Sequence, residues 1–224
     1  MVELTVKKTR DFAVNGLGTP KAWKAAKWVD LPQVGDTRSP YHTRFKTLYS
    51  DLGMYFLVDC EDKQLTCKKR KDFDDIFRDD VVEVFLWPDQ KQNYYFEYEI
   101  SPLEKELVLL VPNNHGKFMG WQPWHFENER KTQKAVSIRG GQKKCMANVA
   151  GWQAEFFIPF SLMIGFNNMP PKPKMTWRAN IYRMDYDTGE CCKWAWCPDV
   201  GGEFHNFKHF GKIVFESFFK SPIL

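Results

Sequence analysis

The sequence has no long hydrophobic run, since none of its apolar stretches approaches the ~18 residues that a membrane-spanning helix needs. The N-terminus also lacks the hydrophobic segment of a secretory signal peptide. We therefore expect no membrane span. The protein is expected to be secreted or periplasmic with its signal absent from this sequence, and a cytoplasmic location is not excluded.

Charge of one sign is also lacking, because 32 Lys and Arg residues against 28 Asp and Glu residues give a net charge of only +4. The short basic runs 68–71 and 130–134 are typical of solvated loops rather than of a nucleic-acid surface. We therefore expect no nucleic-acid partner. We also expect the protein to be a monomer.

The six cysteines are too sparse for a disulfide framework in a chain of 224 residues. Their spacing fits no common zinc pattern, and no CxxCH haem-attachment motif occurs. We expect mostly free thiols.

Aromatic residues are abundant, with nine Trp, eight Tyr and nineteen Phe. Such a composition favours strands and stacking surfaces. About ten short alternating segments separated by turn residues, with little helix, predict an all-β fold: a jelly-roll-like antiparallel β-sandwich that forms a single domain over residues 1–224. The first segment, at 2–9, is predicted to be an edge strand, and the tail at 218–224 has no predicted structure.

The segment 77–87, FRDDVVEVFLW, is the centre of the predicted sheet. Successive side chains of a strand alternate between its faces, so Val82, Val84 and Leu86 share an aliphatic face while Glu83 lies among aromatic residues on the other. The next strand, 94–100, is predicted to pair antiparallel with it and to place Glu97 and Glu99 on the face of Glu83. One buried face and one polar, aromatic face are typical of a binding sheet.

Seven segments in order resemble the family 9 carbohydrate-binding modules of the DOMON-like β-sandwich group, close to the stand-alone family 9-like proteins of bacteria. They span nearly the whole chain: Trp23, LYSDLGMYFLVDCED at 48–62, IFRDDVVEVFLWPD at 76–89, YYFEYEISP at 94–102, GWQAEFFIPF at 151–160, WRANIYRMD at 177–185 and FHNFKHFGKIVF at 204–215.

The resemblance implies non-catalytic binding of an oligosaccharide or polysaccharide, held at a chain end between two aromatic rings, in support of polysaccharide breakdown. The first ring precedes the Glu of a DxxE motif by six residues, which places Phe77 before Asp80 and Glu83, and the second ring matches Phe204. The carbohydrate-binding residues expected from the resemblance and the residue chemistry are Phe77, Arg78, Glu83, Glu97, Asn180, Tyr182, Phe204 and Trp121.

One departure concerns Glu97, which stands where the best-known modules carry a basic ligand residue, so their sugar specificity is not carried over. The resemblance also makes structural calcium possible, with Asp59, Glu61 and Asp62 as candidate oxygen ligands, and the metal content is left open. No other cofactor is expected.

The chemistry of a sugar agrees with this residue set, because a sugar offers apolar C–H faces and a rim of hydroxyl groups. Two alternatives stay open at this point. A haem-binding DOMON-like domain could use Met119, Met184 or His125 as axial ligands, and a glycoside hydrolase could use two of Glu83, Glu97 and Glu99.

Overall fold

The structure is a computed structural model that describes residues 1–114 and 116–216. The unassigned tail at 218–224 therefore lies outside the described residues. The strands are β1 Glu3–Lys8, β2 Val29–Asp30, β3 Gln33–Val34, β4 Thr43–Tyr49, β5 Gly53–Cys60, β6 Val81–Trp87, β7 Tyr94–Ile100, β8 Glu106–Asn114, β9 Lys117–Phe118, β10 Gln122–Pro123, β11 Gln133–Arg139, β12 Gly151–Pro159, β13 Thr176–Asp185, β14 Cys192–Ala195 and β15 Gly211–Glu216.

Helical structure in the described residues is limited to short 3₁₀ turns, so the all-β prediction is confirmed. These turns are Lys21–Ala25, Ile76–Arg78, Asn128–Arg130, Phe160–Met163, Pro198–Val200 and Phe207–His209. Within the same residues no helix is long and apolar enough to cross a membrane. All six cysteines are free thiols.

The strands form a β-sandwich whose two layers are joined through β1. One layer has the order β10-β8-β7-β6-β13-β15, and the other has the order β4-β5-β12-β11. The predicted antiparallel pairing of β6 with β7 is present. The edge-strand prediction for β1 is wrong, because β1 pairs in parallel with β15 on one side and with β4 on the other.

The main core lies between the two layers and is built by the alternation that the sequence predicts. Val82, Val84 and Leu86 point into it from β6, and Phe56 and Phe156 point into it from β5 and β12. All five side chains are at most 1% exposed. Burying that much apolar surface is the main favourable contribution to folding.

A second hydrophobic cluster, called here the front cluster, lies on the outer face of β6, β7 and β13. Phe85 and Tyr95 from the sheet pack there against Phe207 and Phe210. The last two belong to residues 197–210, which we call the front loop. The front loop covers part of the sheet face and leaves the remainder open, and this open part holds the candidate site.

The opposite outer face is covered by the N-terminal segment. Trp23, in the first 3₁₀ turn, is 2% exposed and packs with Leu48, Tyr55 and Leu57. Its indole Nε1 donates to Glu155 Oε1 at 2.7 Å. The Trp23 side chain therefore fastens the N-terminal segment to this face.

Candidate functional site

A cavity of about 220 Å³ opens on the outer face of β6 and β7, beside the front loop. Its walls are aromatic and its floor is acidic. The aromatic side chains are Phe77, Trp121, Phe204 and His205, and the acidic ones are Glu83, Glu97 and Glu99. Lys193 and Glu203 also line it.

Phe77 and Trp121 form one wall. Phe77 belongs to the 3₁₀ turn immediately before β6 and is half-buried, whereas Trp121 comes from the segment between β9 and β10 and is 37% exposed. Their ring centroids are 6.1 Å apart at an interplanar angle of 66°, which is an edge-to-face contact. Each ring therefore supports the other while part of both surfaces stays open to a ligand.

Phe204 forms another part of the wall and is held from behind by Tyr182. The two rings stack with centroids 4.0 Å apart and planes 17° apart. The Phe204 ring is only 8% exposed, and the ammonium of Lys193 lies 5.6 Å from its centroid. A ligand can therefore meet the edge of the Phe204 ring, because Tyr182 covers one face and the Lys193 ammonium lies over the ring.

The floor of the cavity carries three glutamates from two neighbouring strands. Glu83 on β6 lies opposite Glu99 on β7, and Glu97 is two residues along the same strand, so all three point to one face. They are 0–3% exposed. Burial raises the pKa of Glu97 to about 8, and the pKa values of Glu83 and Glu99 rise for the same reason.

The basic groups at the cavity have other contacts. Lys193 Nζ donates to the carbonyl of Gly202 at 3.0 Å, and its charge offsets only part of the rise in the pKa of Glu83 that burial causes. His205 Nδ1 lies 2.7 Å from the Tyr95 hydroxyl, and burial lowers the pKa of this imidazole to about 4. His205 is consequently neutral near pH 7 and contributes a ring rather than a charge.

The structure brings five of the eight predicted site residues together at the cavity: Phe77, Glu83, Glu97, Phe204 and Trp121. The guanidinium of Arg78 lies over the Phe77 ring at 5.4 Å and pairs with Asp75, and its side chain is 66% exposed. Arg78 is thus outside the set that lines the cavity.

Asn180 and Tyr182 lie behind the cavity and do not line it. The Asn180 side chain is fully buried. Its Nδ2 donates to the carbonyl of Cys197 at 3.2 Å, and its Oδ1 accepts from the backbone N–H of Cys197 at 2.9 Å. The Tyr182 hydroxyl donates to the carbonyl of Phe204 at 2.9 Å. Both side chains therefore fix the front loop to β13.

Sequence reasoning did not include Glu99, Lys193, Glu203 and His205 among the predicted ligand contacts, although the cavity contains them. The alternation of β7 was sufficient to place Glu99 beside Glu83. Lys193 has no comparable signal, because its position depends on β14 pairing with β13 through Met184. Glu203 and His205 depend on the path of the front loop, which has no periodicity.

The predicted calcium ligands do not lie together. Asp59 instead forms ion pairs with Arg44 and Arg139, while an oxygen of the exposed Glu61 accepts from the backbone N–H of His42 at 2.9 Å. Of the three candidates, only Asp62 belongs to a carboxylate cluster found among the described residues.

That cluster is Asp62, Asp185 and Asp187, whose nearest oxygens all lie within 4.8 Å of one another. Arg183 donates to Asp62 Oδ2 at 3.3 Å and to Asp185 Oδ2 at 2.5 Å. Asp187 Oδ1 is buried without a hydrogen-bond partner, and burial raises the pKa of Asp62 to about 7 despite the nearby guanidinium. Three converging carboxylates, one of which has a buried oxygen without a hydrogen-bond partner, fit a divalent cation such as calcium. These residues would hold the ion in a structural role.

The candidate haem ligands have different surroundings. Met184 lines the cavity, whereas Met119 is 56% exposed. The His125 ring lies against Phe73 with centroids 4.3 Å apart. Of the three candidates, only Met184 lines the cavity beside the front loop.

Comparison with known proteins identifies one family and several similar folds. The model of the family described as "Carbohydrate family 9 binding domain-like" matches residues 14–217. No curated protein shows a significant match to the sequence.

Among solved structures, a Bacteroides uniformis protein proposed to bind carbohydrate superposes with a TM-score of 0.78 at 17% identity, covering 96% of this chain and 99% of that one. A family 9 carbohydrate-binding module from Caldicellulosiruptor kristjanssonii, in complex with cellotriose, gives a TM-score of 0.67 at 12% identity, covering 99% of this chain and 97% of that one. The same organism's module in complex with glucose gives 0.67 at 12% identity, with 99% and 100% coverage. At such identities these structures establish the shared fold.

Proposed function

The chain belongs to the carbohydrate family 9 binding domain-like family, and from that premise we propose that it binds the end of a saccharide chain, without cleaving it, in the cavity on the outer face of β6 and β7. The observation that carries the proposal is the meeting of aromatic walls and buried carboxylates in one cavity. The similar modules from Caldicellulosiruptor kristjanssonii hold cellotriose and glucose.

The lining of the cavity suits a sugar. Phe77, Trp121 and Phe204 offer apolar surface to C–H groups, while Glu83 and Glu97 accept hydrogen bonds from hydroxyls. A carboxyl group that is protonated can donate one hydrogen bond to a sugar hydroxyl and accept others. Tyr182 and Asn180 act as positioning residues that hold Phe204 and the front loop.

The size of the cavity favours binding of a chain end. A volume of about 220 Å³ lies below the ~300–1,000 Å³ of typical ligand pockets. We infer that a terminal sugar enters the cavity while the rest of the chain extends over Trp121 into solvent.

The arrangement of the glutamates supports binding rather than hydrolysis. A glycosidase places two carboxyl groups on either side of the scissile bond. Glu83, Glu97 and Glu99 instead lie side by side on the floor formed by β6 and β7, so they face a ligand from one direction.

The biological role that we propose is support of polysaccharide breakdown outside the cytoplasm, by a monomer. Cell fractionation tests the secreted or periplasmic location, because a protein confined to the cytoplasmic fraction would contradict it. Light scattering of the purified protein tests the monomer.

Calorimetric titration with cellotriose, glucose and their reduced forms tests the binding function. Phe77→Ala is expected to weaken binding by about tenfold or more, because burial of a Phe side chain contributes ~1.5–3 kcal/mol. Weaker binding of the reduced form would support recognition of a chain end.

Trp28→Ala is the matched control, since it removes a half-buried indole that packs with the cluster around Trp23 on the opposite outer face. Its affinity should equal that of the wild type. If the folded wild type binds no saccharide, or if binding persists unchanged in both Phe77→Ala and Trp121→Ala, the proposal is wrong.

A further inference from the structure

The floor of the cavity holds more ionisable carboxyl groups than a neutral sugar requires. Glu83, Glu97 and Glu99 are 97–100% buried, and Glu203 stands at the rim of the same cavity. Neutral hydroxyl groups need acceptors, but uncharged amide oxygens would serve without the cost of burying three ionisable groups.

No ion pair offsets this charge within residues 1–114 and 116–216. None of the three floor glutamates forms a salt bridge there. Lys193 is the cation that lines the cavity, and its ammonium donates to a backbone carbonyl. The floor therefore retains an excess of negative charge whenever its carboxyl groups ionise.

Several carboxylate oxygens also lack donors. Glu97 Oε2 and both carboxylate oxygens of Glu99 are buried without a hydrogen-bond partner when these groups are ionised. Buried polar atoms are normally satisfied, so these three oxygens are acceptors that a ligand in the cavity can use. Without a ligand, protonation of the carboxyl groups avoids the cost of burying their charge. Burial and the neighbouring carboxylates raise the pKa of Glu99, and a hydrogen bond between Glu99 and Glu97 favours the protonated form of Glu99.

The spacing of the carboxylates does not suit a bare metal ion. Among the described residues, the carboxylate cluster whose oxygens converge within 4.8 Å is Asp62, Asp185 and Asp187, and the floor glutamates do not converge in that way. A larger cation that donates several hydrogen bonds fits them better. An ammonium group offers three donors and one positive charge.

We propose that the saccharide recognised by this cavity carries a free amino group, so that the ammonium of a terminal amino sugar lies against Glu97, Glu99 and Glu83. The inference rests on the proposed function, because it specifies the ligand class of the same site. The walls agree with it, since the faces of Phe77 and Trp121 attract cations as well as sugar C–H groups.

Calorimetry with three matched ligand pairs tests the inference: glucosamine against glucose, glucosamine against N-acetylglucosamine, and chitobiose with free amines against cellobiose. We expect the free amine to bind about tenfold tighter or more, as charge-assisted hydrogen bonds predict. Because the ligand displaces protons from the floor, titrations in two buffers of different ionisation enthalpy should reveal proton release.

Glu97→Gln and Glu99→Gln should each remove most of the preference for the free amine, measured as the ratio of the affinities for glucosamine and glucose. Glu129→Gln is the charge-matched control, because Glu129 is exposed and lines a different cavity. Equal affinity for the amino and neutral sugars, or a preference that survives both substitutions, would overturn the inference and leave the proposed function standing. Failure to bind any saccharide would overturn both.

Discussion

Phe204 and Tyr182 form a doubly linked pair: their rings stack with centroids 4.0 Å apart, and the Tyr182 hydroxyl donates to the Phe204 carbonyl at 2.9 Å. Tyr182 is on β13 and Phe204 is on the front loop, 22 residues later. The stack orients the ring and the hydrogen bond fixes the backbone. The wall of the cavity therefore depends on a side chain that a ligand in the cavity does not touch.

The first prediction concerns the hydroxyl of Tyr182. Tyr182→Phe keeps the stacked ring but leaves the buried Phe204 carbonyl without its donor, which costs about 1–3 kcal/mol. We expect the free energy of unfolding to fall by that order and saccharide affinity to fall severalfold. Denaturant unfolding and calorimetric titration measure the two effects.

Tyr98→Phe is the matched control for that substitution. The Tyr98 hydroxyl donates to Glu106 Oε2 at 2.9 Å, and its ring belongs to the main core rather than to the front cluster. We expect a comparable loss of stability with saccharide affinity unchanged. Equal losses of affinity in both variants would show that Tyr182 acts only through global stability.

The second prediction concerns the pH dependence of stability. Burial raises the pKa of Glu97 to about 8 in the folded protein, against about 4.3 in an unfolded chain. The folded state then binds the proton of Glu97 more tightly than the unfolded state does, and this difference stabilises the folded protein. The stabilisation is fully present below about pH 4.3 and is lost as the pH rises through 8. The charged and titratable groups around it are Glu83 on β6, Tyr95 and Glu99 on β7, Lys193 on β14, Glu203 and His205 on the front loop, and Asp75 before β6.

Glu97→Gln should therefore flatten the fall of the thermal midpoint between pH 5 and pH 8 and make the variant more stable than the wild type at pH 8. Glu203→Gln, which removes an exposed carboxylate at the rim, should keep the wild-type profile. Thermal unfolding at pH 5, 6, 7 and 8 measures both. Parallel profiles for wild type and Glu97→Gln would contradict the raised pKa.

Alternation explains why much of the fold and the floor of the site could be predicted from the sequence. A strand has a period of two, so the pattern of β6 alone places Glu83 on the face opposite to Val82 and Val84. The described residues contain ten strands of at least six residues, in agreement with about ten predicted.

Long-range contacts explain what could not be predicted. The alternation of β13 places Asn180 and Tyr182 on the outer face correctly, but only the path of the front loop decides that they are buried behind the cavity. Glu155 on β12 is similar: it is fully buried and accepts hydrogen bonds from the Trp23 indole and from the backbone N–H groups of Asn15, Gly16 and Gly18. Neither contact has a local signal.

The last prediction concerns the buried guanidinium of Arg183, which is fully buried between Asp62 and Asp185. Arg183→Met removes the partner of two buried carboxylates, and breaking a buried ion pair from one side typically costs about 3–5 kcal/mol. Arg44→Met is the matched control, because Arg44 pairs with Asp59 at the surface with 39% of its side chain exposed and such pairs contribute about 0–1 kcal/mol. Urea unfolding with a chelator present, to exclude compensation by a bound cation, compares the two. Equal losses of the free energy of unfolding in the two variants would show that the aspartate cluster does not depend on Arg183. A large loss confined to Arg183→Met would establish this arginine as the charge that stabilises Asp62 and Asp185 in the folded protein.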